Sequence, residues 1–111
     1  MVIDDNFDDL LAMKTALEAS GFKVTAVTNG ASAIDAVSND RFDIVLVDIK
    51  MPTLSGYDLF SLMKDRVDKK TKLIFVSVIP KKQVEINGAD GFIQKPFTPV
   101  SFVKEVKKLI K

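Results

Sequence analysis

The chain has 111 residues, 47% hydrophobic and 28% charged, the make-up of one soluble globular domain with a single core. Its formal net charge of +1 gives no overall pull toward nucleic acid or an anionic membrane. With no Cys and no His, it can form neither disulfides nor zinc sites, and has no thiol nucleophile or imidazole base.

Met1-Val2-Ile3 is a strand stub ending at Asp4-Asp5. Phe7, Leu10, Leu11, Ala16 and Leu17 then recur at helical spacing, with Gly21 as the stop. Phe22 to Val27 alternates as a second strand, Asn29-Gly30 makes a turn, and Ala33, Ile34 and Val37 mark a second helix. Phe42 to Asp48 follows, with the uninterrupted apolar run Ile44-Val45-Leu46-Val47 ending in a carboxylate. Such a run fits a strand buried on both faces of a parallel sheet. A loop through Met51-Pro52 and Gly56 leads to a third helix outlined by Leu59, Phe60 and Met63, and Leu73 to Ser77 is a fourth strand. Asn87-Gly88 precedes a short fifth strand at Gly91-Phe92-Ile93, and Val100, Val103, Val106 and Ile110 predict the buried stripe of a last helix. The Lys-rich places, Lys69-Lys70 with Lys72 and Lys104 to Lys111, read as solvated faces. No apolar segment reaches the length of a membrane span and no signal-peptide pattern opens the chain, so a cytoplasmic protein with no membrane contact is expected.

Strand-then-helix units repeated five times predict an α/β fold: a flavodoxin-like, doubly wound, five-stranded parallel sheet, (βα)5, with strand order 2-1-3-4-5. Residues 1–111 are taken as one domain. In open α/β sheets ligands collect beyond the carboxyl ends of the strands. There strand one presents Asp4 and Asp5, strand three Asp48, strand four Ser77, and strand five is followed by Lys95-Pro96-Phe97. Crowded carboxylates raise one another's pKa unless a cation joins them. Hard oxygen ligands suit magnesium or manganese rather than zinc or copper. Taken singly, Asp4 or Asp5 reads as well as a helix cap, Ser77 as a satisfied strand-end hydroxyl and Lys95 as a surface charge. The set read together does not.

Those residues carry a resemblance. Val2-Ile3-Asp4-Asp5, Leu46-Val47-Asp48-Ile49-Lys50-Met51-Pro52, Gly56, Ser77, Gly88-Ala89-Asp90-Gly91-Phe92 and Lys95-Pro96-Phe97 resemble the receiver domain of two-component response regulators, from Val2 to the last helix. The resemblance implies that Asp48 is a phosphoacceptor served by a sensor histidine kinase or a small phosphodonor. It implies Mg2+ or Mn2+ held by Asp5, with Asp4 assisting, and by Asp48 and the Lys50 backbone carbonyl. Ser77 and Lys95 would stabilise the phosphoryl oxygens, and the domain would be a signalling phosphoacceptor rather than an enzyme. Ser77 and Phe92, at the position of the family's switch aromatic, would relay phosphorylation as a shift between two packings.

Departures from the family pattern bring further expectations. Val78 stands where the family usually has Ala or Gly at the mouth of the site, and a β-branched side chain there should narrow access. The interval from Ser77 to Lys95 is short and contains Pro80, so the fourth helix should be abbreviated or irregular. In the family, the face built from that helix, strand five and the last helix commonly carries output or dimer contacts. The expected partners are therefore a kinase, an output protein or missing output domain, and a second copy of the chain. Only three residues precede Asp4, so Met1 is either a true start or the edge of something longer.

Other classes fit less well. A haloacid-dehalogenase-like phosphotransferase needs a second Asp two residues after its nucleophile, where this chain has Lys50. A nucleotide-binding flavodoxin-like protein wants a Gly-rich loop after strand one, where Asp4-Asp5-Asn6-Phe7 is acidic. A receiver-like scaffold without turnover, acting as an interaction module, is the remaining competitor.

Overall fold

An apolar run with no polar side has to be covered on both faces, and Ile44–Asp48 (β3) is the middle strand of the sheet with every residue buried. The structure is a computed structural model that describes residues 1–51, 54–84 and 88–110. Around β3 lie β1 (Val2–Ile3), α1 (Phe7–Ala19), β2 (Ala26–Val27), α2 (Gly30–Asn39), α3 (Gly56–Lys64), β4 (Lys72–Ser77), β5 (Gly91–Gln94) and α4 (Pro99–Leu109). All pairings are parallel and the strand order is β2-β1-β3-β4-β5, the flavodoxin-like arrangement expected from the sequence.

Side-chain alternation along the strands divides the interior into two cores. Val45 and Val47 of β3 join Ala33, Val37, Leu59, Phe60, Met63 and Phe75 beneath α2 and α3. Ile44 and Leu46 join Leu10, Met13, Leu17, Ile74, Val76, Phe102 and Val106 beneath α1 and α4. The helices are started by side-chain caps. Asn6, Asn29, Ser55 and Thr98 each accept the N–H three residues on, and Pro99 occupies the first turn of α4.

Three sequence expectations need correction. The second strand does not run from Phe22: β1 offers only two residues, so the ladder is limited to Val2↔Ala26 and Ile3↔Val27. Phe22 and Val24 instead pack as half-buried chain against the α1/α4 core. In α1, Phe7 and Leu11 are exposed and Met13, unremarked in the sequence, is buried. In α4 the buried stripe is Phe102, Val106 and partly Leu109, with Val103 at its margin. Val100 is 80% exposed and Ile110 is exposed. The helix begins at Pro99, and the i, i+4, i+7 set from Phe102 carries more apolar surface than the set from Val100, so the aromatic fixes the phase. Between β4 and β5 the only helical turn among the described residues is a 3₁₀ turn, Lys81–Gln83, which agrees with an abbreviated fourth helix. Pro52, Asn87 and Lys111, named in the sequence reading, lie outside the described residues.

Two loop devices fix opposite ends of the sheet, the first where β4 and β5 begin and the second where β3 ends. Gly88, at φ +82, turns the chain toward β5, and Asp90 then clamps it to β4. The Asp90 carboxylate accepts the Leu73 N–H at 2.8 Å, while its own N–H donates to the Leu73 carbonyl at 2.8 Å. After β3 the chain folds back on itself, so that Gly56 N–H donates to the Ile49 carbonyl at 2.8 Å. A Cβ at Gly56 would stand 2.4 Å from the Asp48 carbonyl oxygen and 2.6 Å from Ile49 Cα. Both are backbone atoms, so neither can swing away. Gly56→Ala should therefore cost roughly 1–3 kcal/mol of stability as an overpacked site, read as a lower urea midpoint at unchanged m-value. A midpoint equal to wild type would show that the loop opens freely.

Candidate functional site

The termination of β1 and β3 at the same level delivers the acidic residues to one place. Register pairs Val2 with Leu46 and Ile3 with Val47, so Asp4 follows Ile3 beside Asp48. Carboxylate oxygens of Asp4, Asp5 and Asp48 all lie within 4.8 Å of one another. Asp4 and Asp48 are buried and Asp5 is exposed, giving the cluster one face open to solvent. Ser77, completely buried, ends β4 one residue past Val76, the partner of Asp48.

Lys95 closes the cluster. Its buried ammonium donates to Asp4 Oδ2 at 2.6 Å and to Asp9 Oδ2 at 2.9 Å, and stands 3.9 Å from Asp48 Oδ1. The other Asp4 oxygen accepts the Asn6 N–H at 2.9 Å, so both of its carboxylate oxygens are engaged. Burial works to lower the Lys95 pKa, but hydrogen bonds to Asp4 and Asp9 and the charges of Asp4 and Asp48 outweigh it and hold it above the ordinary value. Asp48 lacks that compensation. Burial, then the adjacent Asp4 charge, push its pKa from 3.8 up to about 7 against the pull of Lys95. A dry carboxylate facing a second carboxylate, with a third on the solvent side, is a donor set that a hard divalent cation would satisfy. Mg2+ or Mn2+ fits these residues.

Two contributors escaped the sequence. Asp9 was passed over because an acidic residue in a first helical turn is accounted for by the helix dipole alone. Gln94, between Phe92 and Lys95, carries an amide that donates to the carbonyls of Ser77, Val78 and Lys95 at 3.0–3.1 Å. It ties the end of β4 to the end of β5. The only sequence signal for either was its nearness to a residue already marked, Asp9 to the Asp4-Asp5 pair and Gln94 to Lys95. The remaining marked residues are dispersed around the rim. The Lys50 side chain is exposed, Val78 is 56% exposed, and Phe92 is half-buried opposite Phe75 in the β4–β5 ladder, against the α2/α3 core. The Ser77 hydroxyl accepts the Ile79 N–H at 3.1 Å.

The model of the response regulator receiver domain family matches residues 1–107. The chain belongs to that family. It is 34% identical to the response regulator SaeR of Staphylococcus aureus over 99% of its length and 49% of that protein, so it spans about half the length of the curated relatives it matches. Among solved structures, the CheY-like receiver domain of Methanospirillum hungatei superposes with a TM-score of 0.86 at 27% identity, covering 98% of this chain and 90% of that one. Thermotoga maritima TrrA, solved in complex with Mg(2+)-BeF, superposes with a TM-score of 0.85 at 25% identity, covering 97% and 95%. A receiver domain of the two-component class thus accounts for the chain, and no helix among its described residues is long and apolar enough to cross a membrane.

The raised Asp48 pKa has a signed consequence for this receiver domain. The folded state holds the Asp48 proton more tightly than the unfolded chain, so the metal-free protein should lose stability as pH rises from about 4 through about 7. The full span is worth on the order of 4 kcal/mol. In EDTA, Asp48→Asn should melt higher than wild type at pH 8, with the gap closing toward pH 4. Mg2+ at pH 8 should raise the wild-type melting temperature more than that of the variant. A gap independent of pH would mean that Asp48 is not destabilised by ionising.

Proposed function

We propose that this receiver domain takes a phosphoryl group on Asp48 and that the modification switches its binding to a partner. The observation that carries the proposal is the convergence of Asp4, Asp5 and Asp48 with Lys95 buried against them at the carboxyl end of the sheet. Asp48 is fixed by the central strand and needs no rearrangement to face a donor. One of its carboxylate oxygens attacks phosphorus in line, forming the new O–P bond as the bond from phosphorus to the donor breaks and the electron pair leaves with the donor. The donor is a phosphohistidine of a sensor kinase or a small acyl phosphate. The Lys95 ammonium and the Ser77 hydroxyl supply donors to the phosphoryl oxygens. Water later attacks phosphorus, inorganic phosphate departs, and the Asp48 carboxylate is restored.

Asp4, Asp5, Asp48 and the Lys50 carbonyl would hold Mg2+ or Mn2+, which when bound offsets negative charge on the phosphoryl oxygens. The fluoroberyllate complex of the Thermotoga relative supports that assignment. Signal relay falls to Ser77 and Phe92. A phosphoryl group adds roughly two negative charges and three acceptors, drawing Ser77 from its bond to Ile79 N–H and letting the Phe92 ring repack inward. Phe has no hydroxyl, so that relay is steric. The output partner, in a chain half the length of its curated relatives, is a separate protein, a further domain or a second copy.

Intact mass after incubation with Mg2+ and acetyl phosphate tests the assignment. One added phosphoryl group, absent from Asp48→Asn, is the expected result. No adduct from acetyl phosphate or phosphoramidate would instead leave a receiver-like scaffold that acts only by binding.

Val78 sets access to the site. With its side chain exposed beside Ser77, a branched residue there crowds the approach of donor and water. Val78→Ala should speed labelling by acetyl phosphate several-fold. An unchanged or slower time course would show that approach is not limited at this position.

A further inference from the structure

Lys95 is shared unequally among three carboxylates. Its ammonium has three N–H donors, of which one is given to Asp4 at 2.6 Å and one to Asp9 at 2.9 Å. Asp48, at 3.9 Å, is beyond hydrogen-bond reach. Asp9 is not among the three carboxylates whose oxygens lie within 4.8 Å of one another; its contact is with Lys95. It sits in the first turn of α1, where its own N–H is held by the Asn6 side chain at 3.0 Å. The carboxylate is therefore presented from a fixed backbone.

A phosphoryl group on Asp48 would bring new acceptors to Lys95. Its one uncommitted N–H can meet one of them, but closing the 3.9 Å gap or serving a second draws the ammonium off an existing partner. The two partners differ in what release would cost. Asp4 is completely buried at 2.6 Å from the ammonium, and letting go of Lys95 would leave its charge away from water with no partner but a bound cation. Asp9 is 45% exposed at its side chain, so water takes over its charge when the pair opens. Asp9 is thus the partner that gives way.

We propose that Asp9 is a positioning residue that holds Lys95 toward α1 and so restrains its engagement with a phosphoryl group on Asp48. The proposal rests on Asp48 being the phosphoacceptor. While the Asp9 bond persists, Lys95 spends part of its donor capacity away from the reacting oxygens. Removing the charge of Asp9 leaves the ammonium with Asp4 alone and frees it to lean to Asp48. Asp9 touches neither donor nor acceptor; it acts through Lys95.

The test is the labelling rate with acetyl phosphate and Mg2+, followed by intact mass, for wild type, Asp9→Asn and Asp9→Ser. Both replacements remove the charge, and since Asp8 remains in the first turn the helix keeps an acidic residue there. Each should label about two- to fivefold faster than wild type in low salt, the range that a half-exposed ion pair can supply. The ratio should fall toward one as KCl screens the wild-type pair. A role limited to anchoring α1 predicts slower labelling, a lower melting temperature and no convergence with salt, and that result overturns the proposal. Equal rates in low salt also overturn it. Wild type that takes no phosphoryl group is a different failure, that of Asp48 as acceptor.

Discussion

The ion pair between Lys95 and Asp4 joins residues 91 positions apart in sequence and lies almost completely out of water. Such a pair contributes little net stability against an apolar alternative, yet removing one member would typically cost roughly 3–5 kcal/mol, because the survivor is left charged and dry. Its consequence is geometric. Asp4 ends β1 and Lys95 follows β5, with β3 and β4 between them in the sheet, so the pair bridges the rim over the end of β3. Asp48 stands at that end, and everything chemical about it follows from its neighbours being fixed. Lys95 is near enough to moderate its charge but too committed to neutralise it.

That imbalance makes the site receptive. A carboxylate held at a pKa of about 7 by burial and a neighbouring charge is in an unfavourable environment that either a proton or a cation relieves. The open side of the cluster, at Asp5, provides the approach for a cation. The same crowding that depresses stability in the metal-free protein becomes affinity when a hard cation arrives, because the desolvation has already been met in folding. Stability is lost locally where function needs charge, and the two apolar cores on either side of the sheet carry it.

Much of this was legible in the chain. The apolar run ending in Asp48 defined the central strand because no other arrangement covers Ile44 to Val47 on both sides. The strand ends then located Asp4, Asp5, Ser77 and Lys95 on one rim, since parallel strands deliver their carboxyl ends together. Phase was harder to read. Val100, Val103 and Val106 continue one stripe in sequence, but Phe102 turns the helix so that Val100 faces solvent and Val103 lies at the margin, because burying a large aromatic outweighs burying a valine. The contacts of Asp9 and Gln94 were not legible at all. Each depends on how far a side chain reaches across an interface between elements distant in sequence, and a helix-turn aspartate or strand-end glutamine has an adequate local explanation without that contact.

Gln94 shows why the reach matters for switching. Ser77 is held twice: its hydroxyl accepts the Ile79 N–H, and its carbonyl receives the Gln94 amide. The same amide holds the carbonyls of Val78 and Lys95, so the ends of β4 and β5 are joined. The tie acts on the backbone carbonyls, leaving the Ser77 hydroxyl and the Lys95 ammonium free to move on their own side-chain bonds. The helix that follows β4 in this fold is reduced, among the described residues, to one 3₁₀ turn with no buried side chains. That turn itself adds no buried contact behind Ser77, although Ile79 and Val84 on either side of it pack on the α2/α3 core. Resistance to movement comes also from the hydrogen bonds of Gln94 and from the Phe92 ring seated opposite Phe75. The ends of β4 and β5 are thus tied by a few polar contacts of one side chain, beside an apolar pairing that belongs to the core.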